Sequence, residues 1–184
     1  MALLKLSDGT ILRDPQAIAS TLESLHIDFK HYDPGTSLLF PDLDQQDVVD
    51  DLAKCDILEL HDSQFEYLRR DQGYLFYDML NVHPGSPQLA TLIETYSHCH
   101  THTEPEAIYV LAGEAIYGFK DLAQAEIQLL IQAQDYLHIP AAVEHWFSFS
   151  ASLSLKAVRY FSGVSGWTPQ YSQTNQQNWN KFQE

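Results

Sequence analysis

Residues 98–106 read His-Cys-His-Thr-His-Thr-Glu-Pro-Glu and run directly into the apolar stretch Ala107–Leu111. Few backbone arrangements can use such a sequence. On an extended strand, residues two apart point to the same face. His100 and His102 then aim their imidazoles at one point, and Glu106 shares their parity and joins them if the chain bends at Pro105. Two imidazoles and a carboxylate suit a divalent first-row metal that keeps open coordination positions. A fourth donor is His145, in the segment Glu144-His145-Trp146-Phe147. A lone histidine ahead of Trp-Phe is ordinarily a packed core group. Coupled to the upstream cluster it reads as a ligand, with Phe147 and Phe149 on its own face as aromatic walls.

The bulk properties narrow the partners. The chain has 184 residues, 45 % of them hydrophobic and 19 % charged, which is enough for one domain with a real core. A net charge of −15 argues against nucleic acid or an anionic membrane as partner, since both call for basic surface. An anionic small substrate remains compatible if the pocket is locally positive. Two cysteines, Cys55 and Cys99, are too few for a disulfide framework, so a reduced, cytoplasmic setting is expected. Strand parity turns Cys99 away from the histidine face, as a buried, inert thiol. The first ten residues lack the apolar core of a signal peptide, and no apolar run reaches membrane-spanning length.

Taken in order, Leu3–Leu6 and Thr10–Leu12 flank Asp8-Gly9 and predict a hairpin. Asp14-Pro15 predicts a helix start, with Ile18, Leu22 and Leu25 at helical spacing over residues 15–25. Ile27–Tyr32 reads as a strand, Asp33-Pro34-Gly35 as a turn and 36–43 as loop. Helices are expected over Gln45–Cys55, with Val48, Val49, Leu52 and Ala53 on one side, and over Ser63–Arg70, with Phe65 and Leu68 inward, and a strand over Tyr74–Val82 that Pro84-Gly85-Ser86-Pro87 breaks. From residue 88 onward short strands dominate, with Gln88–Tyr96 leading into the histidine stretch. Glu106–Ala112 and Ala115–Lys120 are expected to be two strands tightly joined at Gly113-Glu114. Strands at Glu126–Gln132, Tyr136–Ile139, Glu144–Ser150 and Leu153–Phe161 complete a sandwich or barrel. The expected whole is mainly β with N-terminal helices, α+β in class. It divides into a helix-rich half (1–87) wrapped on a barrel core (88–168), with a tail (169–184) in which Trp179 and Phe182 can dock.

Two segments resemble the cupin motifs. His100, His102, Glu106 and Gly113 meet the first, His-x-His, three or four residues, Glu, six residues, Gly. Pro140 and His145 meet the second, with Ala142 where glycine is usual; the glycine common before the first motif is absent. The resemblance implies a single cupin domain over 1–184, a double-stranded β-helix or jelly-roll barrel with a 3-His-1-Glu metal site. A cupin barrel alone implies no particular activity.

Residues 100–106, the length, the helical first half, His145-Trp146-Phe147 and Arg159-Tyr160-Phe161 with Gly166-Trp167 are together similar to the acireductone dioxygenase family of methionine salvage. The similarity covers residues 60–170. It implies His100, His102, Glu106 and His145 as ligands to one Fe2+, or alternatively Ni2+, per monomer. Phe147, Arg159 and Trp167 match residues lining the substrate pocket, and Tyr96 stands where the family usually has phenylalanine. Glu104 falls near the metal without binding it, and His98 has no counterpart. The implied reaction cleaves an enediol with dioxygen; iron yields formate and a 2-keto acid, whereas nickel yields formate, carbon monoxide and a methylthio-carboxylate. The implied enzyme is a monomer whose partners are the small substrate and O2. One departure stands out: Ile108 occupies the position of a family arginine. Without that cation, Arg159 alone, or a cation reaching in such as Lys156 or Arg70, must hold an anionic substrate. An apolar pocket would favour a related cupin enzyme with another small substrate, or a non-catalytic metal-binding cupin.

Overall fold

The computed structural model describes residues 1–32, 43, 46–164 and 167–172. The turn expected at 33–35, most of the loop after it, and Trp179 and Phe182 lie outside the described residues. The N-terminal hairpin forms as β1 (Leu3–Lys5) and β2 (Ile11–Leu12), closed by the Asp8-Gly9 turn. Helix α1 (Pro15–Glu23) starts where its cap dictates: Asp14 accepts from the Ala17 backbone N–H and Pro15 takes the first turn. Its Ile18 and Leu22 are fully buried, and β3 (Asp28–His31) follows. Helix α2 (Asp51–Leu60) begins six residues later than expected, because the Asp50 side chain caps it at Ala53 N. Of the four residues expected on one side, Val49 is buried and Ala53 packs on the same cluster as Ile57, but Val48 and Leu52 are 69 % and 74 % exposed. Helix α3 (Asp62–Gln72) buries Phe65 and Leu68 as expected and ends at Gly73 in the left-handed region. Strand β4 (Phe76–Val82) comes next.

Residues 89–96 depart from the extended reading. They form helix α4 (Leu89–Tyr96), in which Leu89, Leu92 and Tyr96 recur at helical spacing and pack on the core. The remaining strands are β5 (His100–Thr101), β6 (Glu106–Lys120), β7 (Glu126–Gln132), β8 (Asp135–Ile139), β9 (His145–Phe149), β10 (Leu155–Phe161) and β11 (Gln170–Tyr171).

Strand β6 organises the molecule. Instead of two strands joined by a tight turn, residues 106–120 are one strand of 15 residues. Its first half pairs with β8 and β10, and its second half with β7 and β9. Two sheets therefore share it. One runs β3-β8-β6-β10-β4, the other β11-β5-β9-β6-β7-β1-β2. The first half of the chain thus supplies edge strands as well as helices. The main core lies between the sheets, and among the described residues no further ladder closes them into a barrel. A second, tyrosine-rich cluster seats α3 on the outer face.

At the middle of β6 the alternation of side chains reverses. Ala157 lies opposite Val110 but Lys156 lies opposite Ala112, so Leu111 is an extra residue, a β-bulge. Ile108 and Val110 face the inner core, Leu111 and Ala112 both turn outward, and Ala115, Tyr117 and Phe119 face inward again. Gly113 makes this possible. It sits at φ +76, and a Cβ there would stand 2.3 Å from the Ser154 carbonyl oxygen. Gly113→Ala combines a strained backbone with a clash against main chain. It is expected to lower stability by about 2 kcal/mol or more, measured by urea unfolding of the metal-free protein; a loss under about 0.5 kcal/mol would contradict this account of the bulge.

Candidate metal centre

Neighbouring strands bring the sequence cluster together. His100 on β5 is in register with His145 on β9, and His145 with Phe119 on β6. Glu106 opens β6. His102 lies just past β5, and its carbonyl accepts from the Ala142 N–H at 2.9 Å, stitching the two histidine segments together. Ala142 adopts φ +65 to make that bond. This left-handed geometry is the physical reason a glycine is usual there, and alanine bears it at a cost of about 1–2 kcal/mol. His100, His102 and His145 are all buried, with ligand atoms within 4.8 Å of one another.

The backbone decides which nitrogen faces inward. Nδ1 of His100 donates to the His98 carbonyl (2.6 Å), Nδ1 of His102 to Thr168 (3.1 Å) and Nδ1 of His145 to Val143 (2.9 Å). A carbonyl only accepts, so each Nδ1 carries a hydrogen, and in the neutral ring each Nε2 offers a lone pair. Nε2 of His100 is buried without a partner. Oε2 of Glu106 lies 3.2 Å from His102 Nε2 and 3.3 Å from His145 Nε2. Lone pairs facing a carboxylate at that range repel unless a proton or a cation lies between them. The donor set, three imidazole nitrogens and a carboxylate oxygen, fits a first-row divalent ion.

Protonation follows the same logic. Burial, reinforced by His145, pushes His100 down to about 4. Burial would raise Glu106, but hydrogen bonds and charge from His102 and His145 hold it well below the carboxylate range. Burial opposes a charge on His102, yet Glu106 raises it. The phenol of Tyr117 donates to Glu106 Oε1 at 2.6 Å, and burial followed by the Glu106 charge drives its ionisation far above the usual value.

Beside the histidines is a narrow cavity of about 30 Å³. Tyr96, Phe147, Arg159 and Trp167 all line it, together with Glu106 and Ile108. The Tyr96 ring is 5.7 Å from that of His100, and its hydroxyl donates to the Trp167 carbonyl. Arg159 lies directly across from Ile108 on the adjacent strand. Its guanidinium sits 5.3 Å from both the Phe161 and Trp167 ring centres and makes a two-pronged ion pair with Asp78, at 2.8 and 2.6 Å. Neither Lys156 nor Arg70 lines the cavity. Lys156 is buried on the opposite face of β10, and Arg70 stands on the outer surface of α3. His98 is exposed and takes part only through its carbonyl, Cys99 is buried, and the Glu104 carboxylate packs over Gly163. Asp78 and Tyr117 escape a reading by parity. Asp78 comes from a distant strand, and Tyr117 has the wrong parity relative to Glu106 until the bulge reverses it.

The nitrogen-rich donor set discriminates among ions. Co2+ or Ni2+ at a hundred times its dissociation constant is expected to stabilise the protein by about 2.7 kcal/mol, while Mg2+ and Ca2+ at equal concentration leave the calorimetric melting temperature unchanged. An equal shift with Mg2+ would mean a generic carboxylate effect.

The model of the ARD/ARD' family matches residues 14–169. The acireductone dioxygenase of Trichormus variabilis is 58 % identical over 174 residues, covering 95 % of this chain and 96 % of that one. The acireductone dioxygenase of Microcystis aeruginosa is 35 % identical over 174 residues, covering 95 % and 94 %. The solved structure of acireductone dioxygenase from Bacillus anthracis, with cadmium ion in its active center, superposes with a TM-score of 0.85 over 93 % of this chain and 98 % of that one. Its 19 % identity makes that a likeness of fold, and the fold is the cupin fold. A family match over most of the chain, joined by relatives that align along nearly its whole length, establishes that the chain belongs to the ARD/ARD' family.

Proposed function

We propose that this chain is a metal-dependent dioxygenase that cleaves an acireductone with O2 to formate and a 2-keto acid. One Fe2+, or alternatively Ni2+, is held by His100, His102, Glu106 and His145. The observation that carries the reading is the convergence of three Nε2 atoms whose Nδ1 partners are all backbone carbonyls. The names of the aligned relatives supply the substrate class. When bound there, the ion supplies Lewis-acid orientation of an enediolate and its activation as an electron-rich anion.

The chain's own residues do the rest. Arg159 meets the negative charge of the substrate, and Asp78 fixes the direction of its guanidinium. Phe147, Trp167 and Ile108 give an apolar wall that keeps water out and seats an apolar tail, and Tyr96 closes the side next to His100. The chain acts as a single cupin unit, supported by the entry of β1, β3 and β4 into the same two sheets as the later strands. We infer too that the enzyme is a monomer and that it works in a reducing, cytoplasmic setting, the latter supported by two free cysteines. Among the described residues no helix is long and apolar enough to cross a membrane. A second reading, a dioxygenase for a less charged enediol, is favoured by one observation. Among the lining residues Arg159 is the one lysine or arginine, and Asp78 already neutralises it.

The deciding assay loads the protein with Fe2+ under argon, adds an acireductone and admits O2. Loss of the enediolate absorbance with release of formate is expected; no turnover with iron or nickel at full occupancy would end the dioxygenase reading. His100→Ala and His145→Ala are expected to lose the metal on elemental analysis, and full occupancy in both would refute the ligand set. Arg159→Met should keep the metal and raise KM about tenfold or more, the loss of one charge-assisted contact. An unchanged KM would favour the less charged substrate.

A further inference from the structure

The two oxygens of Glu106 are held differently. Oε2 lies within 3.3 Å of two histidine nitrogens, whereas Oε1 accepts a 2.6 Å hydrogen bond from the buried Tyr117 phenol. We propose that Tyr117 is a positioning residue that restricts Glu106 to one-oxygen coordination and so keeps two metal positions open toward the cavity. This rests on the metal reading above.

The count explains why it matters. Three imidazoles and one carboxylate oxygen occupy four of the six positions of an octahedral ion. If both carboxylate oxygens bind, five are filled and one is left. A substrate held through two oxygens then has no room beside the ion. A carboxylate turning to bind with both oxygens would have to swing Oε1 away from its present 2.6 Å geometry with Tyr117 and set the metal in competition with the phenol for its electron density, weakening a charge-assisted bond to a buried hydroxyl.

Tyr117 cannot swing aside to relieve this. Its ring meets the edge of Phe147 at 5.3 Å and lies nearly parallel to Phe119 at 6.3 Å. Its backbone is paired on both sides, with Leu129 of β7 and Phe147 of β9. The phenol faces the site because the Leu111 bulge and Gly113 reverse the parity of β6 between Glu106 and Tyr117.

The test removes the hydroxyl and keeps the ring. Tyr117→Phe and the parent protein are loaded with Co2+ and titrated with acetohydroxamate, which binds through two oxygens, and with azide, which needs one position; both are followed by Co2+ absorption. The proposal expects acetohydroxamate to bind tenfold or more weakly to the variant while azide changes less than twofold. Equal affinities for both probes, or an equal loss of both, would overturn it, the second outcome marking a general structural defect. Should Tyr117→Phe fail to fold, a crystal structure of the Co2+-loaded parent decides: one Glu106 oxygen on the metal supports the proposal and two overturn it. A parent protein that takes up no Co2+ would bring down the metal reading and this one with it. A parent that binds Co2+ with no difference between variants removes only the role of Tyr117.

Discussion

Three hydrogen bonds from imidazole Nδ1 to backbone carbonyls are the constraint on which the rest of the site depends. Each ties a ring to main chain, where rotamer freedom cannot loosen it, and together they turn three Nε2 lone pairs to one point. The acceptors at His98 and Val143 lie two residues before their own histidines, so those rings are set by local backbone. The acceptor for His102 is Thr168, 66 residues away, so that ring is in place only when the segment after β10 is docked. Burial then completes the arrangement. With water excluded, three nitrogens and a carboxylate placed this closely need a shared proton or a cation between them.

The charge pattern around the cavity follows from two adjacent strands. Ile108 and Arg159 are cross-strand neighbours on β6 and β10, and Asp78 stands opposite Arg159 on β4. One row across three strands thus reads apolar, cationic, anionic. Apolar surface lies on the side nearer the histidines, and the guanidinium is held at the rim by a carboxylate whose side chain is 47 % exposed. That exposure keeps the pair partly solvated, so an incoming anion competes with a screened bond instead of a fully buried one.

Much of this was legible in the residues. His100, His102 and Glu106 stand out by spacing, because the strand period of two puts chosen side chains on one face, and His145 joins them only when it is read together with that cluster. The N-terminal hairpin, α1 and the strands after residue 126 follow from Asp-Gly, Asp-Pro and alternating apolar runs. What could not be read has a common cause, the override of local pattern by distant packing. Gly113-Glu114 looks like a turn, yet Ser154 approaches so closely that the glycine serves a bulge in a continuous strand. Residues 89–96 carry helical spacing, but their position ahead of a strand-forming stretch suggested continuity with it. Val48 and Leu52 have an apolar pattern whose start is moved by the Asp50 cap. Asp78 and Tyr117 reach the site only through registers that no local sequence specifies.

The sharing of β6 by two sheets also sets the order in which the site comes apart. Residues 106–120 are laddered on both edges, first by β8 and β10 and then by β7 and β9, so this strand opens only when both sheets do. Strand β5 is two residues long, and His102 lies beyond it in non-strand backbone. A local opening confined to β5 therefore lifts the His100–His102 segment while Glu106 and its tyrosine stay in place. The site is a fixed jaw on a strand laddered along both edges and a hinged jaw on one of the shortest, so an opening confined to the hinged one uncovers it without global unfolding.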